Sequence, residues 1–333
     1  MSKIQTLLKK VGFNNFLLGL MLAIFLAWLF PEIGSSQGPV SWKPFINTGI
    51  ALLFFFYGVK LDPQQLKSGL SNWKLHLVIQ VFTFLIFPVF VYFLLQFLPW
   101  IGDDFKLGIS YLSALPSTVS ASVVMVNIAG GNIPAAIFNA SISSLLGVVI
   151  TPAWMGVLAE GMGQGEVDFL PTFLDLTIKV IIPVILGILL HGLIYPLIKS
   201  HLAKLKYLDQ SVIMLIVFTA FSDSFFQKVF TPYSLWTLIQ IALTMLGLFI
   251  LIWLAISLVS RFFGFSLADR ITALFCGSKK SLVHGVVIGK VIFPDPALLG
   301  LILLPVMLYH FQQLILGSIL AERFSKKNKD RFG

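Results

Sequence analysis

Residues 276–285, CGSKKSLVHG, place two adjacent lysines in the middle of a long apolar segment. Centring a single lysine on a membrane helix costs about 2.5–3.5 kcal/mol on insertion scales. A sequence that keeps both Lys279 and Lys280 there needs a protein-lined polar cavity or a counter-charge. The glycine and serine residues beside them favour an interrupted helix with free backbone groups. We interpret this stretch as one half of a transport site, and residues 114–122, ALPSTVSAS, as the other half.

The composition is typical of a membrane protein. Of the 333 residues, 57% are hydrophobic and 11% are charged, whereas a soluble domain has about 25% charged residues. Many apolar runs reach the roughly 20 residues that a helix needs to cross a bilayer. We therefore predict an all-α polytopic protein, with residues 1–333 forming a single transmembrane transporter domain in the lipid bilayer.

Ten transmembrane helices are predicted from the apolar runs and the residues that interrupt them. They cover about 14–30, 44–60, 73–98, 105–129 (broken near Pro116), 133–158, 171–198 (kinked at Pro183), 208–227, 233–262, 267–292 (broken near Gly277) and 295–321, before a polar tail at 322–333. A weak internal similarity relates the fourth and ninth spans, which start on opposite sides of the membrane. This predicts two inverted five-helix repeats, about 14–158 and 171–321, whose interrupted helices 4 and 9 cross. Such interruptions at matching positions indicate a secondary-transport site.

The loop charges predict the orientation. With the N-terminus inside, cytoplasmic segments hold 16 of the 23 basic residues and outside segments hold 4. The positive-inside rule accounts for this distribution, and so the net charge of +9 does not require a nucleic-acid partner. We predict a multi-pass protein of the cell inner (plasma) membrane with both termini in the cytoplasm.

Polar residues beside the two breaks are the candidate substrate- and ion-binding residues. Free helix N-termini favour anions, whereas unwound carbonyl groups favour cations. The candidates are Pro116, Ser117, Thr118, Ser120, Ser122, Asn139, Ser143, Ser278, Lys279, Lys280, Ser281 and His284. The alternative for the serines and threonines is a role in helix packing, which these residues often have in membranes.

The adjacent lysines cannot both point in the same direction on a helix. We expect one in the cavity and the other paired or extended towards an interface, and the alternative is a shifted span with both at an interface. A lysine in the cavity could attract an anion, take the place of a coupling cation or carry a proton. His284, one turn beyond Lys280, is expected to face the same cavity. Asp223 could be a counter-charge to a lysine or could lie at the outer rim.

These segments resemble the bile acid:sodium symporter family, in its SBF-like branch, over nearly the whole chain. The resemblance is strongest in Lys74–Gln80, Leu115–Thr118, Gly130–Asn132, Thr151–Pro152 and Cys276–Ser281. It implies a panel domain and a core domain, two broken crossing helices and Na⁺-coupled uptake of an organic anion by alternating access. It also adds Gln80 to the candidate site.

The sodium sites that the resemblance implies are carried over only in part. Ser122 matches one ligand, but Val123 replaces the asparagine beside it, and two hydroxyl positions fall on alanines. The acidic ligand falls near Phe275, and the glutamine and asparagine that follow it fall on Lys279 and Lys280. Ammonium groups in place of a carboxylate disfavour Na⁺ by charge alone. We therefore predict that a lysine replaces at least one sodium ion.

Two rival classes are weighed against a secondary transporter. A membrane-embedded enzyme acting on lipid would need a catalytic dyad or a metal cluster, and the sequence shows no such motif. A single cysteine also excludes an intramolecular disulfide and a cysteine-based metal cluster. We predict no cofactor beyond Na⁺ as a coupling ion. The remaining rival is a regulator of ion homeostasis that does not itself transport.

Overall fold

The computed structural model describes residues 15–61, 72–161, 174–175, 177–293 and 295–332, and all regular structure within them is helical. The first half contains α1 (Asn15–Leu29), α2 (Pro31–Gly34), α3 (Lys43–Lys60), α4 (Trp73–Val81), a π-helical turn (Phe82–Ile86), α5 (Phe87–Gln96), α6 (Asp103–Ala114), α7 (Ser120–Ala129) and α8 (Ile133–Gly161). The second half contains a π-helical turn (Thr177–Ile181), α9 (Ile182–Leu189), α10 (His191–Ile198), a 3₁₀ turn (Lys199–His201), α11 (Leu202–Phe226), α12 (Leu235–Phe262), α13 (Leu267–Gly277), α14 (Leu282–Ile292) and α15 (Pro296–Phe332).

Six helices of the described chain are long and apolar enough to cross a membrane, and a bent pair makes a seventh. The six are Trp73–Gln96, Ile133–Leu158, Lys204–Phe226, Leu235–Phe262, Leu267–Ile292 and Pro296–Lys326. The protein is therefore an all-helical, multi-pass membrane protein within the described residues. The count of ten spans and the inverted repeat stay predictions.

The predicted sixth span bends at a different place. Its main bend lies at Leu190, where Thr177–Leu189 and His191–His201 meet at 84°, rather than at Pro183. Pro183 lies in the first turn of α9, directly after the π-helical turn Thr177–Ile181. The residues predicted as a polar tail after 321 are helical and continue α15 to Phe332.

The helices form two bundles. One bundle contains α1–α3 and α9–α11, and the other contains α4–α8 and α12–α15; α11 packs against α15 and joins them. Within the first bundle, Gly58 and Gly187 let α3 and α9 approach closely. A Cβ atom on Gly187 would lie 2.8 Å from the Val59 nitrogen and 3.0 Å from Gly58 Cα. Small residues commonly permit such backbone approach in membranes.

The two breaks lie where the sequence predicts them and have local causes. Pro116 disfavours helical geometry at Leu115, which is extended at φ −69° and ψ 151°. The second break, Ser278–Ser281, ends where the Ser281 side chain accepts a hydrogen bond from the His284 backbone nitrogen at 3.3 Å and caps α14. Four short helices, α6, α7, α13 and α14, therefore end or begin inside the second bundle.

Candidate functional site

The two breaks contact each other directly. The Ser281 backbone nitrogen donates to the Pro116 carbonyl at 2.8 Å. In the opposite direction, the Ser117 hydroxyl donates to the Cys276 carbonyl at 2.5 Å and the Ser122 hydroxyl to the Phe275 carbonyl at 3.1 Å. Backbone groups that have no helical hydrogen-bond partner at one break are thus hydrogen-bonded to residues of the other break.

Lys280 places its amino group among three backbone carbonyls. Its Nζ lies 2.7 Å from the Thr83 oxygen, 2.6 Å from the Ser113 oxygen and 2.8 Å from the Leu115 oxygen. Two of these carbonyls belong to the C-terminal end of α6, where the helix dipole favours positive charge. An ammonium group has three N–H donors, and a neutral amine has two. The three acceptors therefore match the protonated form.

An aromatic face completes this cage. The Phe87 ring lies with its centroid 4.3 Å from Lys280 Nζ, within the range of a cation–π contact. The side chain is 1% exposed. No ion pair in the described part of the chain involves this lysine. Carbonyl dipoles and an aromatic ring, rather than a carboxylate, thus surround the Lys280 amino group.

Lys279 has fewer hydrogen-bond acceptors around its amino group. Its Nζ donates to the Ala121 carbonyl at 3.2 Å and contacts the Met125 sulfur, and the Phe275 ring centroid lies 5.1 Å away. The side chain is 0% exposed. Both lysines are therefore enclosed by the second bundle. The alternative in which both lysines reach an interface is therefore wrong, and neither of them extends towards one. That one of them lies in the transport cavity stays a prediction.

Gln313 and Tyr309 of α15 hold the second break in its extended form. The Gln313 amide accepts from the Lys280 backbone nitrogen at 2.8 Å and donates to the Lys280 carbonyl at 2.7 Å. The Tyr309 hydroxyl donates to the Ser278 carbonyl at 2.6 Å. Both side chains are buried. The unwound backbone is thus paired on both sides without helical hydrogen bonds.

His284 lies at the seam between the two bundles. Its Nδ1 lies 2.9 Å from the Ser281 hydroxyl, and its ring makes edge contacts with Tyr57 and Phe54 of α3 at centroid distances of 5.7 and 6.1 Å. The side chain is buried. It therefore faces the first bundle, and its described contacts do not include the ammonium group of Lys280.

The hydroxyl candidates divide according to position. Thr118 and Ser122 share a hydrogen bond of 2.7 Å, and the Ser117 backbone nitrogen donates to the Ser143 hydroxyl at 2.9 Å. These four residues are buried at the crossing. Ser120 is exposed instead. Its position at the start of α7 turns it away from the crossing.

Gln80 and Asn139 form a separate polar cluster between α4 and α8. Gln80 donates to the Asn139 side-chain oxygen at 3.1 Å, and the Asn139 amide nitrogen lies 2.7 Å from His76 Nδ1. The Asn139 amide also donates to the Ala135 carbonyl at 2.8 Å. Their hydrogen bonds link the two helices beside the crossing and do not reach the lysines.

Asp223 is not a counter-charge to the lysines. One of its oxygens accepts from the Ser35 hydroxyl at 2.9 Å and from the backbone nitrogen and hydroxyl of Ser36 at 2.8 Å each. It therefore holds the turn after α2 against the end of α11. Asp223 is buried, and the lysine on which its charge acts is Lys290. The rim position stays a prediction.

Several groups of the lysine site escaped the sequence prediction, among them the Phe87 ring and the Met125 sulfur. Thr83 contributes only a backbone oxygen from a π-helical turn, and side-chain chemistry gives no signal for it. Tyr309 and Gln313 did carry a signal, because two polar side chains four residues apart on an apolar span share a helix face. Among the described residues, no group of three or more His, Cys, Asp or Glu side chains could hold a metal ion.

Comparison with known proteins matches residues 14–326 to the model of the SBF-like CPA transporter family. An uncharacterized protein of Pseudomonas aeruginosa is 36% identical over 320 residues, covering 95% of this chain and 94% of that protein. The putative symporter YfeH of Escherichia coli is 31% identical, covering 95% and 94%. The sodium/bile acid cotransporter 7 of Rattus norvegicus is 33% identical, covering 94% and 93%.

Proposed function

Because the chain belongs to the SBF-like CPA transporter family, and is therefore a transporter rather than an enzyme, we propose that it moves a small organic anion by alternating access. The substrate class is a bile-acid-like molecule or another small carboxylate or sulfate. The name of one relative, a sodium/bile acid cotransporter, supports this class, and the name of another, a putative symporter, supports coupled transport.

The architecture that goes with this proposal has ten helices in two inverted repeats. The two broken helices that touch at Pro116 and Ser281 support it, since paired interruptions are a feature of inverted-repeat transporters. The excess of basic residues in alternate loops supports cytoplasmic termini and an inner-membrane location. The two bundles then correspond to the panel and core domains.

The substrate is proposed to bind at the seam between the bundles, beside Ser281 and His284. The rings of Tyr57 and Phe54 cover this position in the structure. The N-terminus of α14 lies immediately there, and helix N-termini favour negative charge. Separation of α3 from α14 would expose a hydroxyl, an imidazole and backbone N–H groups to an anion.

The coupling ion is the point at which this chain departs from the sodium symporters that it resembles. We propose that the ammonium group of Lys280 takes the place of one sodium ion. The single observation that carries this proposal is the cage of three carbonyl oxygens around Nζ. Unwound carbonyls and half-helix C-termini are the groups that hold Na⁺ in other transporters with broken helices.

Electrostatic repulsion favours a site in which the Lys280 ammonium replaces Na⁺ over a site that holds both cations. Two unit positive charges 4 Å apart repel by about 4 kcal/mol at an effective dielectric constant of 20. A sodium ion beside the ammonium would also compete for the same three oxygens. Transport coupled to protons or independent of Na⁺ is therefore favoured over strict sodium symport, and a second sodium ion elsewhere would be the exception.

The test compares the thermal stability of purified protein in NaCl and in choline chloride. The wild type should show no difference. In Lys280→Ala the cage is vacant, and Na⁺ or methylammonium should restore stability by RT ln(1 + [L]/Kd), about 2.7 kcal/mol at 100 times Kd. Lys279→Ala is the matched control and should not respond. Stabilisation of Lys280→Ala by Na⁺ that is no larger than that of the wild type would contradict the replacement of sodium by Lys280.

The transport proposal is tested separately in proteoliposomes loaded with candidate anions. Counterflow of a labelled bile acid, a sulfate ester or a small dicarboxylate should appear with wild-type protein and decline in His284→Ala. Folded protein that moves none of these anions, with no seam-dependent binding, would favour a regulator of ion homeostasis without its own transport.

A further inference from the structure

Helix α10 lies on the outside of the first bundle. None of its residues, His191–Ile198, is buried. Leu193 and Leu197 are 72% and 74% exposed, and Leu189 at the bend is 73% exposed. A helix whose residues are at most partly buried gains little stability from packing inside the protein, and short isolated helices are marginal in water. Its leucines therefore require an apolar environment outside the chain.

The bend sets the direction of this helix. The preceding segment, Thr177–Leu189, and the following one, His191–His201, meet at 84°. If the first crosses the bilayer, the second runs nearly parallel to the membrane surface. Leu193 and Leu197 are four residues apart and share one face of the helix. This is the geometry of an interfacial helix that dips its apolar face into the headgroup region.

Basic side chains lie in the sequence directly after α10. Lys199, His201, Lys204 and Lys206 are all exposed. The first acidic residue after these lysines, Asp209, forms an ion pair of 2.9 Å with Lys60. Lys199, Lys204 and Lys206 therefore have no free carboxylate beside them in sequence. Each basic residue close to an anionic leaflet strengthens binding about fivefold. An exposed cationic cluster beside an embedded leucine face is complementary to negatively charged lipid.

The helix is tied to the part of the protein that covers the proposed site. His191 Nδ1 lies 2.7 Å from the Val59 carbonyl at the end of α3. Two residues earlier on α3, Tyr57 contacts the ring of His284. The position of α10 at the membrane surface is thus linked through one helix to the crossing of the two breaks.

We propose that residues 189–206 form a membrane-surface element that binds the headgroups of anionic phospholipids. The leucines anchor it at the boundary of the acyl chains, and the lysines contact the phosphates. This goes beyond the transport function, because it assigns a lipid partner to a surface that contacts neither substrate nor coupling ion. Binding weakens with rising ionic strength, since the Debye length shortens.

The experiment uses full-length protein in nanodiscs of phosphatidylcholine, with or without phosphatidylglycerol. The readouts are the unfolding temperature and the number of phosphatidylglycerol molecules that stay bound in native mass spectrometry. The wild type should be more stable with phosphatidylglycerol. The exposed triple variant Lys199→Gln, Lys204→Gln and Lys206→Gln should bind the anionic lipid roughly 100-fold more weakly. A matched triple variant of exposed basic residues, Lys74→Gln, Arg323→Gln and Lys326→Gln, should keep most of the binding.

Three results would overturn the proposal. One is equal lipid dependence in the two triple variants, since the effect would then be general surface charge. Another is equal stabilisation by inorganic phosphate in phosphatidylcholine alone, which would indicate a phosphate site rather than a membrane contact. The third is a dimer that dissociates in Leu193→Ser, because the leucine face would then bind a second copy. Failure of anion transport bears on none of these readouts.

Discussion

Replacement of Lys280 by methionine should destabilise the protein far more than the same change at Lys279. Removal of the Lys280 ammonium leaves three buried carbonyl oxygens without their present donor. Each buried polar group left unsatisfied costs about 1–3 kcal/mol. The sum is about 3–9 kcal/mol. Methionine has a similar length and flexibility, and so the lost donors, rather than a cavity, determine the difference.

Lys279→Met removes much less stabilising hydrogen bonding than Lys280→Met does. Its Nζ has one carbonyl acceptor at the long distance of 3.2 Å, and its other contact is a thioether sulfur, a weak acceptor. The lost hydrogen bond costs about 1 kcal/mol or less. This cost is offset because burying an ammonium group with incomplete hydrogen bonding is itself unfavourable. The expected change in unfolding free energy is close to zero.

The assay is thermal unfolding of both variants and the wild type in the same detergent, with tryptophan fluorescence as the readout. Circular dichroism at low temperature checks that each variant is helical before heating. Lys280→Met should unfold at a clearly lower temperature, and Lys279→Met should stay near the wild type. Equal losses in the two variants, or a wild-type unfolding temperature for Lys280→Met, would refute the carbonyl-cage argument.

Three further variants test the packing around the crossing. Gly147→Ala should destabilise by about 1–3 kcal/mol, because its Cβ would lie 2.6 Å from Pro116 Cγ; Gly247→Ala, with nothing within 4 Å, is the control in the same melting assay. Gln313→Leu should cost about 2–4 kcal/mol by leaving both backbone groups of Lys280 unpaired, and a melting temperature like that of the wild type would contradict this role. Asp223→Ala should free the turn after α2 and raise its amide exchange, while exchange at the lysine site should not change.

The sequence by itself determined the class of the protein and the position of the breaks. An apolar composition with few charges requires a bilayer. Proline at 116 and the glycine and serine residues before Lys279 disfavour uninterrupted helices there, and the structure has breaks at both places. These outcomes depend on local sterics and on hydrophobicity, which the residues carry with them.

Only the tertiary structure decided what each polar side chain does. Lys279 and Lys280 lie on the same apolar stretch, yet the amino group of Lys280 contacts three carbonyl oxygens and that of Lys279 contacts one. The packing of the two breaks against each other produces this difference. The hydrogen-bond acceptors of Lys280 are backbone oxygens of residues up to 197 positions away, and the side chains of those residues do not indicate this role. The bend at Leu190 likewise has no proline of its own, and the next residue, His191, contacts the Val59 carbonyl of α3. Charge and hydropathy identify buried cations in a sequence, but the geometry of distant backbone groups decides how they are stabilised.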